Sequence, residues 1–192
     1  MDVSVPVSTV VTYRVRQAHQ LALKLAEQLS EEQLRWSSGP LAPSIAFHVW
    51  HTARWADLLQ AKMREMTDAL RERLGPGGEM WEAERLAEQW GFDVGALGPG
   101  ATGMGMDDEA SAALPLPPKE RLLDYARRAF GAMDEAVAAV GEEDLSESCV
   151  DQYGQRTSVG SAVLSHATHV NRHLGMIEAL RGVLGVRGTA TV

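Results

Sequence analysis

The 192-residue chain has a single cysteine, Cys149. That excludes an internal disulfide and the cysteine-closed shell typical of structural zinc. Basic residues are scarce as well: 18 lysines and arginines stand against 26 aspartates and glutamates, a formal net charge of -8. With no basic patch to meet a phosphate backbone, a nucleic-acid partner is not expected. No run reaches the roughly 18 apolar residues that a membrane span requires. The opening MDVSVPVSTV lacks the charged head, apolar stretch and cleavage site of a secretory leader. A cytoplasmic protein with no membrane contact is therefore expected. Glycines 95, 98, 100, 103 and 105 do not make a phosphate loop, because no strand precedes them and no Lys-Ser or Lys-Thr pair follows. No segment reads as a strand, and no internal repeat is present.

What the chain does have is helical periodicity. Hydrophobic residues make up 45% of it, enough for one domain with a sizeable core. From Thr9 to Leu29, Val10, Val11, Val15, Ala18, Leu21, Ala22, Leu25 and Leu29 recur at spacings of three and four. Ser30 and Gln33 form a capping-box pattern just beyond. A second helix is predicted from Ser44 to Leu74, with Ile45, His48, Thr52, Trp55, Leu59, Met63, Met66 and Leu70 inward, ending at Gly75 and Pro76. A third is predicted from Pro118 to Val140, and a fourth from Ser158 to Leu184. The segment 75–117 is too long for a tight turn and suits a crossover connection, with a short helix over Met80 to Trp90. The predicted architecture is an all-α four-helix bundle, one domain over 1–192, with its long connection between helices two and three.

Five of the six histidines fall in two clusters, His48 with His51 and His166 with His169 and His173. Residues three and four apart return to one helical face, so each cluster forms a stripe. In the fourth helix the stripe interrupts an apolar seam of Val159, Val163, Val170 and Ile177. An unpartnered polar group buried there costs on the order of 1–3 kcal/mol, a penalty that metal coordination removes. Two such stripes facing each other would enclose one divalent ion, and imidazole suits zinc, nickel, copper and iron. Phe47, Trp50 and Trp55 have spacings that would wall the same pocket. His19 lies outside both clusters. Cys149 has nothing nearby to lower its pKa and is assigned no catalytic role.

Two segments resemble the DinB-like (DinB/YfiT) superfamily of metal-dependent four-helix bundles. Ser44-Ile45-Ala46-Phe47-His48-Val49-Trp50-His51-Thr52-Ala53-Arg54 is similar to that family's ligand segment in the second helix. His169-Val170-Asn171-Arg172-His173-Leu174-Gly175-Met176-Ile177 is similar to its H-x-x-x-H-x-G-Q-I motif in the last helix, with Met176 where the motif often has glutamine. The stretch from Trp81 to Pro118, with Gly103-Met104-Gly105-Met106, resembles the crossover of one branch. The resemblance implies a three-histidine metal site of His51, His169 and His173, with His48 and His166 behind the ligands or in the pocket. It also implies a homodimer, and transfer or isomerisation chemistry that uses a low-molecular-weight thiol such as mycothiol or bacillithiol.

Three functions follow from these readings. The first is an enzyme acting on a small molecule, in which a divalent ion (zinc, nickel or iron) acidifies water or a thiol. Asp57 and Glu178 lie near the ligands in sequence but on other helical faces, so no general base is assigned. The second is a non-enzymatic bundle stapled by metal and acting through association, and the third is a metal-dependent hydrolase that needs no thiol.

Overall fold

The computed structural model describes residues 4–189. Helix α1, Val7–Glu27, starts behind Pro6, whose fixed φ suits a helix entrance, and buries Val11, Val15, Ala18, Ala22 and Leu25. Ser30 and Gln33 close the capping box of α2, Glu31–Arg35: the Gln33 amide donates to Ser30 Oγ at 3.1 Å, and the Ser30 amide donates to Gln33 Oε1 at 2.9 Å. Helix α3, Ile45–Met66, is capped by Ser44 Oγ, which accepts from the Phe47 amide at 3.2 Å.

The single helix predicted over Ser44 to Leu74 is in fact two. Thr67 takes an extended conformation (φ -141°, ψ 160°), and its hydroxyl accepts from the Leu70 amide at 3.1 Å. The side chain thereby ends α3 and caps α4, Asp68–Leu74, a competition with backbone pairing that threonine wins readily. Gly75 (φ 64°) then stops the chain as predicted. The short helix expected over Met80 to Trp90 is likewise divided, into α5, Met80–Ala83, and α6, Leu86–Trp90, by left-handed Arg85 (φ 52°). Two 3-10 turns, Val94–Ala96 and Pro99–Ala101, lead to α7, Asp108–Ala112. Helix α8, Lys119–Ala138, follows Pro118, and α9, Val159–Val183, is capped by Ser158.

Between α8 and α9 lies a hairpin absent from the sequence reading. Strands β1, Ser148–Val150, and β2, Arg156–Ser158, pair antiparallel with Cys149 opposite Thr157. Strands of three residues are too short for alternation to register. The hairpin's turn is held by Asp151, whose Oδ1 accepts from the Tyr153 and Gln155 amides.

The four long helices form the predicted all-α bundle, with α1 and α3 each packed against both α8 and α9. Helices α3 and α9, which carry the histidine clusters, are therefore neighbours. Every residue of α3 from Ile45 to Asp57 is buried, although the segment includes two histidines, Arg54 and Asp57. Bundle helices cover only part of α3. The crossover covers the rest, bringing Trp81, Phe92, Leu97 and Ala101 into the core. A helix that is apolar around most of its circumference needs this wrapping. The crossover is also what roofs the histidines.

Candidate metal centre

His51 from α3 and His169 and His173 from α9 converge, each offering one ring nitrogen within 4.8 Å of the others. The spacing of four between His169 and His173 puts both rings on the face of α9 that meets α3. His51 Nδ1 lies 2.6 Å from the Thr102 carbonyl oxygen. A carbonyl can only accept, so the ring proton is on Nδ1 and Nε2 keeps its lone pair. That Nε2 stands 3.1 Å from His169 Nε2. His173 Nδ1 lies 2.9 Å from His48 Nδ1, and when His173 donates this bond its Nε2 is also left free.

Burial favours the neutral form of every ring here. It pulls His51 down to about 4 against the opposing pull of Thr102, and His169 to about 4 with help from the charges of His51 and Arg172. His173 is lowered to about 2 by burial and by repulsion from His51 and His169. Neutral imidazoles are the ligating form, and three of them aimed inward suit a divalent cation. The nitrogens of a tetrahedral zinc site stand about 3.3 Å apart, close to the 3.1 Å between His51 and His169. Without an ion, His169 Nε2–H can donate to the lone pair of His51 Nε2, and a shared ion would replace that hydrogen bond. These residues fit a metal.

The walls hold the ligands in place. Phe47 stacks on His51 with ring centroids 5.6 Å apart, and Trp55 presents its ring edgewise to His51 at 6.3 Å and to His169 at 5.9 Å. Gly103 (φ 85°) lies against the other side, where a Cβ would sit 2.8 Å from Trp50 Cζ3 and 3.3 Å from His51 Nδ1. A chamber of about 340 Å³ opens over the three histidines, with Arg172, Asp108 and Met176 at its rim.

Thr102 is itself fixed from below. The fully buried Arg54 donates to the carbonyls of Gly100 (2.7 Å) and Ala101 (3.2 Å), the two residues preceding Thr102. Its remaining donors reach Asp57, Tyr125 and Glu79, and the guanidinium lies 4.7 Å from the centre of Trp81. Asp57 also accepts the amides of Met80 and Trp81. One network thus ties both ends of the crossover to α3, and it leaves Asp57 fully engaged and remote from proton transfer. Glu178 is engaged elsewhere, with Thr189.

Two pocket expectations change. His166 does not join the chamber: its Nε2 pairs at 2.9 Å with Nε2 of His19, whose Nδ1 meets Asp134 Oδ1 at 2.7 Å. Three residues before His169 it has turned toward α1, because the stripe spirals out of the α3 interface. Trp50 is wholly buried among Trp81, Phe92 and Phe47 and walls no chamber. His48 stands behind His173 as a hydrogen-bond partner. Trp55 and Phe47 do line the chamber. Cys149 is buried, and burial raises its thiol pKa. Sequence reasoning missed Thr102, which acts through its backbone, and Arg54, whose charge three residues after His51 on a buried face was the available signal.

No curated protein matches the chain. Among solved structures it is similar to a conserved protein from Enterococcus faecalis, with 18% identity, a TM-score of 0.73, and coverage of 95% of this chain and 99% of that one. That likeness concerns the fold. The family model of the DinB superfamily matches residues 14–177, a span that takes in both histidine clusters, and the chain belongs to this superfamily.

Proposed function

We propose that the protein is a metal-dependent enzyme whose divalent ion (zinc, nickel or iron) is held by His51, His169 and His173. The observation that carries this is the convergence of three neutral imidazoles beneath an open chamber, one of them fixed in its ligating tautomer by the Thr102 carbonyl. When bound, the ion supplies Lewis acidity and acidifies a water or thiol placed beside it. The chain's own residues do the rest. Phe47 and Trp55 exclude solvent from two sides of the rings, and His48 orients His173 through their 2.9 Å contact. Arg172 has no ion pair among the described residues and stands at the chamber rim, where it meets the anionic part of an entering molecule.

The reaction class we favour is transfer or isomerisation with a low-molecular-weight thiol. Its support is the resemblance of both histidine segments to superfamily members with that chemistry, together with a chamber of about 340 Å³ that leaves room above the ligands for a second molecule. Elemental mass analysis of the purified protein tests the metal, beside a variant with His51, His169 and His173 all changed to alanine. About one ion per chain, lost in the variant, is expected. No uptake under any reconstitution condition would overturn the proposal. Turnover that needs no added thiol would redirect the reaction class to hydrolysis.

A further inference from the structure

Beside the histidine chamber lies a larger cavity of about 440 Å³, walled by Trp55, Leu58, Pro99, Met104 and Tyr153, with two glutamines and Gly100 completing it. No charged residue lines it. Its neighbour is different, since Arg172, Asp108 and Ser111 all face the histidine chamber. The two spaces share Trp55, Met104 and Tyr153 as a common wall. Trp55 is the pivot: its ring is 5.1 Å from that of Tyr153 and 5.9 Å from that of His169. Whatever rests on Trp55 in the cavity is adjacent to the proposed ligands.

We propose that this cleft receives an uncharged apolar or aromatic arm of the substrate, while the polar cosubstrate enters over Arg172. The assignment rests on the metal-centre reading for its meaning as a substrate site. Physically it rests on the lining, because a charged group would lose its hydration here without finding an ionic partner, and the polar atoms on offer are those of Gln152, Gln155 and Tyr153 at the edge of an otherwise apolar wall. A planar apolar group loses nothing and gains dispersion and edge contacts with two aromatic rings. Tyr153 is 43% exposed on the hairpin turn, so its ring can be reached by a molecule entering the cleft. The hairpin that the sequence did not reveal thus supplies one wall of the site.

The test uses 2-naphthol as an apolar probe and inositol as a neutral polar control, by ligand-observed NMR on metal-free and zinc-loaded protein. Saturable binding of 2-naphthol, with saturation passed from the protein to the naphthol ring protons and none passed to inositol, is expected. Tyr153→Ala and Leu58→Glu should each weaken it at least tenfold, while Tyr153→Phe should bind as the parent does. Absence of saturable binding, or equal binding across these variants, would overturn the proposal. Metal content measured on the same samples separates the two readings. Naphthol binding without metal uptake keeps the cleft and removes the metal centre, and metal uptake without naphthol binding does the reverse.

Discussion

At the scale of single residues, the site depends on imidazoles that stay neutral where an exposed histidine would take a proton. The folded values, about 4 for His51 and His169 and about 2 for His173, lie below the unfolded value near 6.5. In metal-free protein, therefore, the unfolded chain binds more protons than the folded one once pH falls below about 6.5, and stability declines from there toward pH 4. Each such group contributes at most about 1.4 kcal/mol per pH unit across that window. Urea midpoints of the metal-free parent should therefore fall more steeply between pH 7 and 4.5 than those of the triple alanine variant, in which the carboxylates are unchanged while His48 and His166, still buried but relieved of the charges of His51 and His169, are themselves lowered less. Parallel curves would show that the three rings are hydrated in the fold. The pattern of these residues was legible because spacing alone puts His169 and His173 on one face of a helix. Thr102 was not legible, since a carbonyl has no signature in sequence. His166 was misread because the spacing that relates it to His169 does not say which neighbouring helix it meets, and it meets His19.

At the scale of elements, the four long helices were readable to within about two residues at most ends, since their apolar stripes and caps agree with one another. What escaped was local. Thr67 ends α3 by a side-chain hydrogen bond that the apolar stripe runs straight through, and the hairpin's strands are too short to show a period. The crossover was legible as a connection but not as a roof. Its most constrained point is Gly103, at φ 85° with Trp50 and His51 both within van der Waals reach of an added methyl. Gly103→Ala should cost about 1–2 kcal/mol from the backbone conformation alone, and the methyl should push Thr102 from His51. The expected outcome is a lower urea midpoint together with at least tenfold weaker metal binding in a competitive chelator titration. By contrast Gly105→Ala, also at positive φ but with nothing within 4 Å of the new Cβ, should lose stability and keep its metal affinity. If both variants bound metal as the parent does, the contact between crossover and ligand would carry no weight in coordination.

At the scale of the whole molecule, the question is whether metal builds the fold or is built into it. The apolar core runs the length of the bundle, from Leu25, Ile45 and Leu122 to Met63, Met133 and Val163, and most of it lies away from the histidines. The Arg54 and Asp57 network ties the crossover down with no help from a ligand. A structural staple, in contrast, is needed where a core is too small to hold itself, as in chains well under this length. Metal should therefore add to a stability that already exists. At a free concentration about a thousandfold above the dissociation constant, the gain is about 4 kcal/mol, which for a domain of this size raises the melting temperature by roughly 8–16 °C. Chelated protein followed by circular dichroism should keep its helical signal at 25 °C and melt cooperatively at a lower temperature, and the triple alanine variant should melt without any response to added metal. Loss of the helical signal on chelation would support the staple reading, in which the three histidines hold the bundle together rather than holding an ion for chemistry.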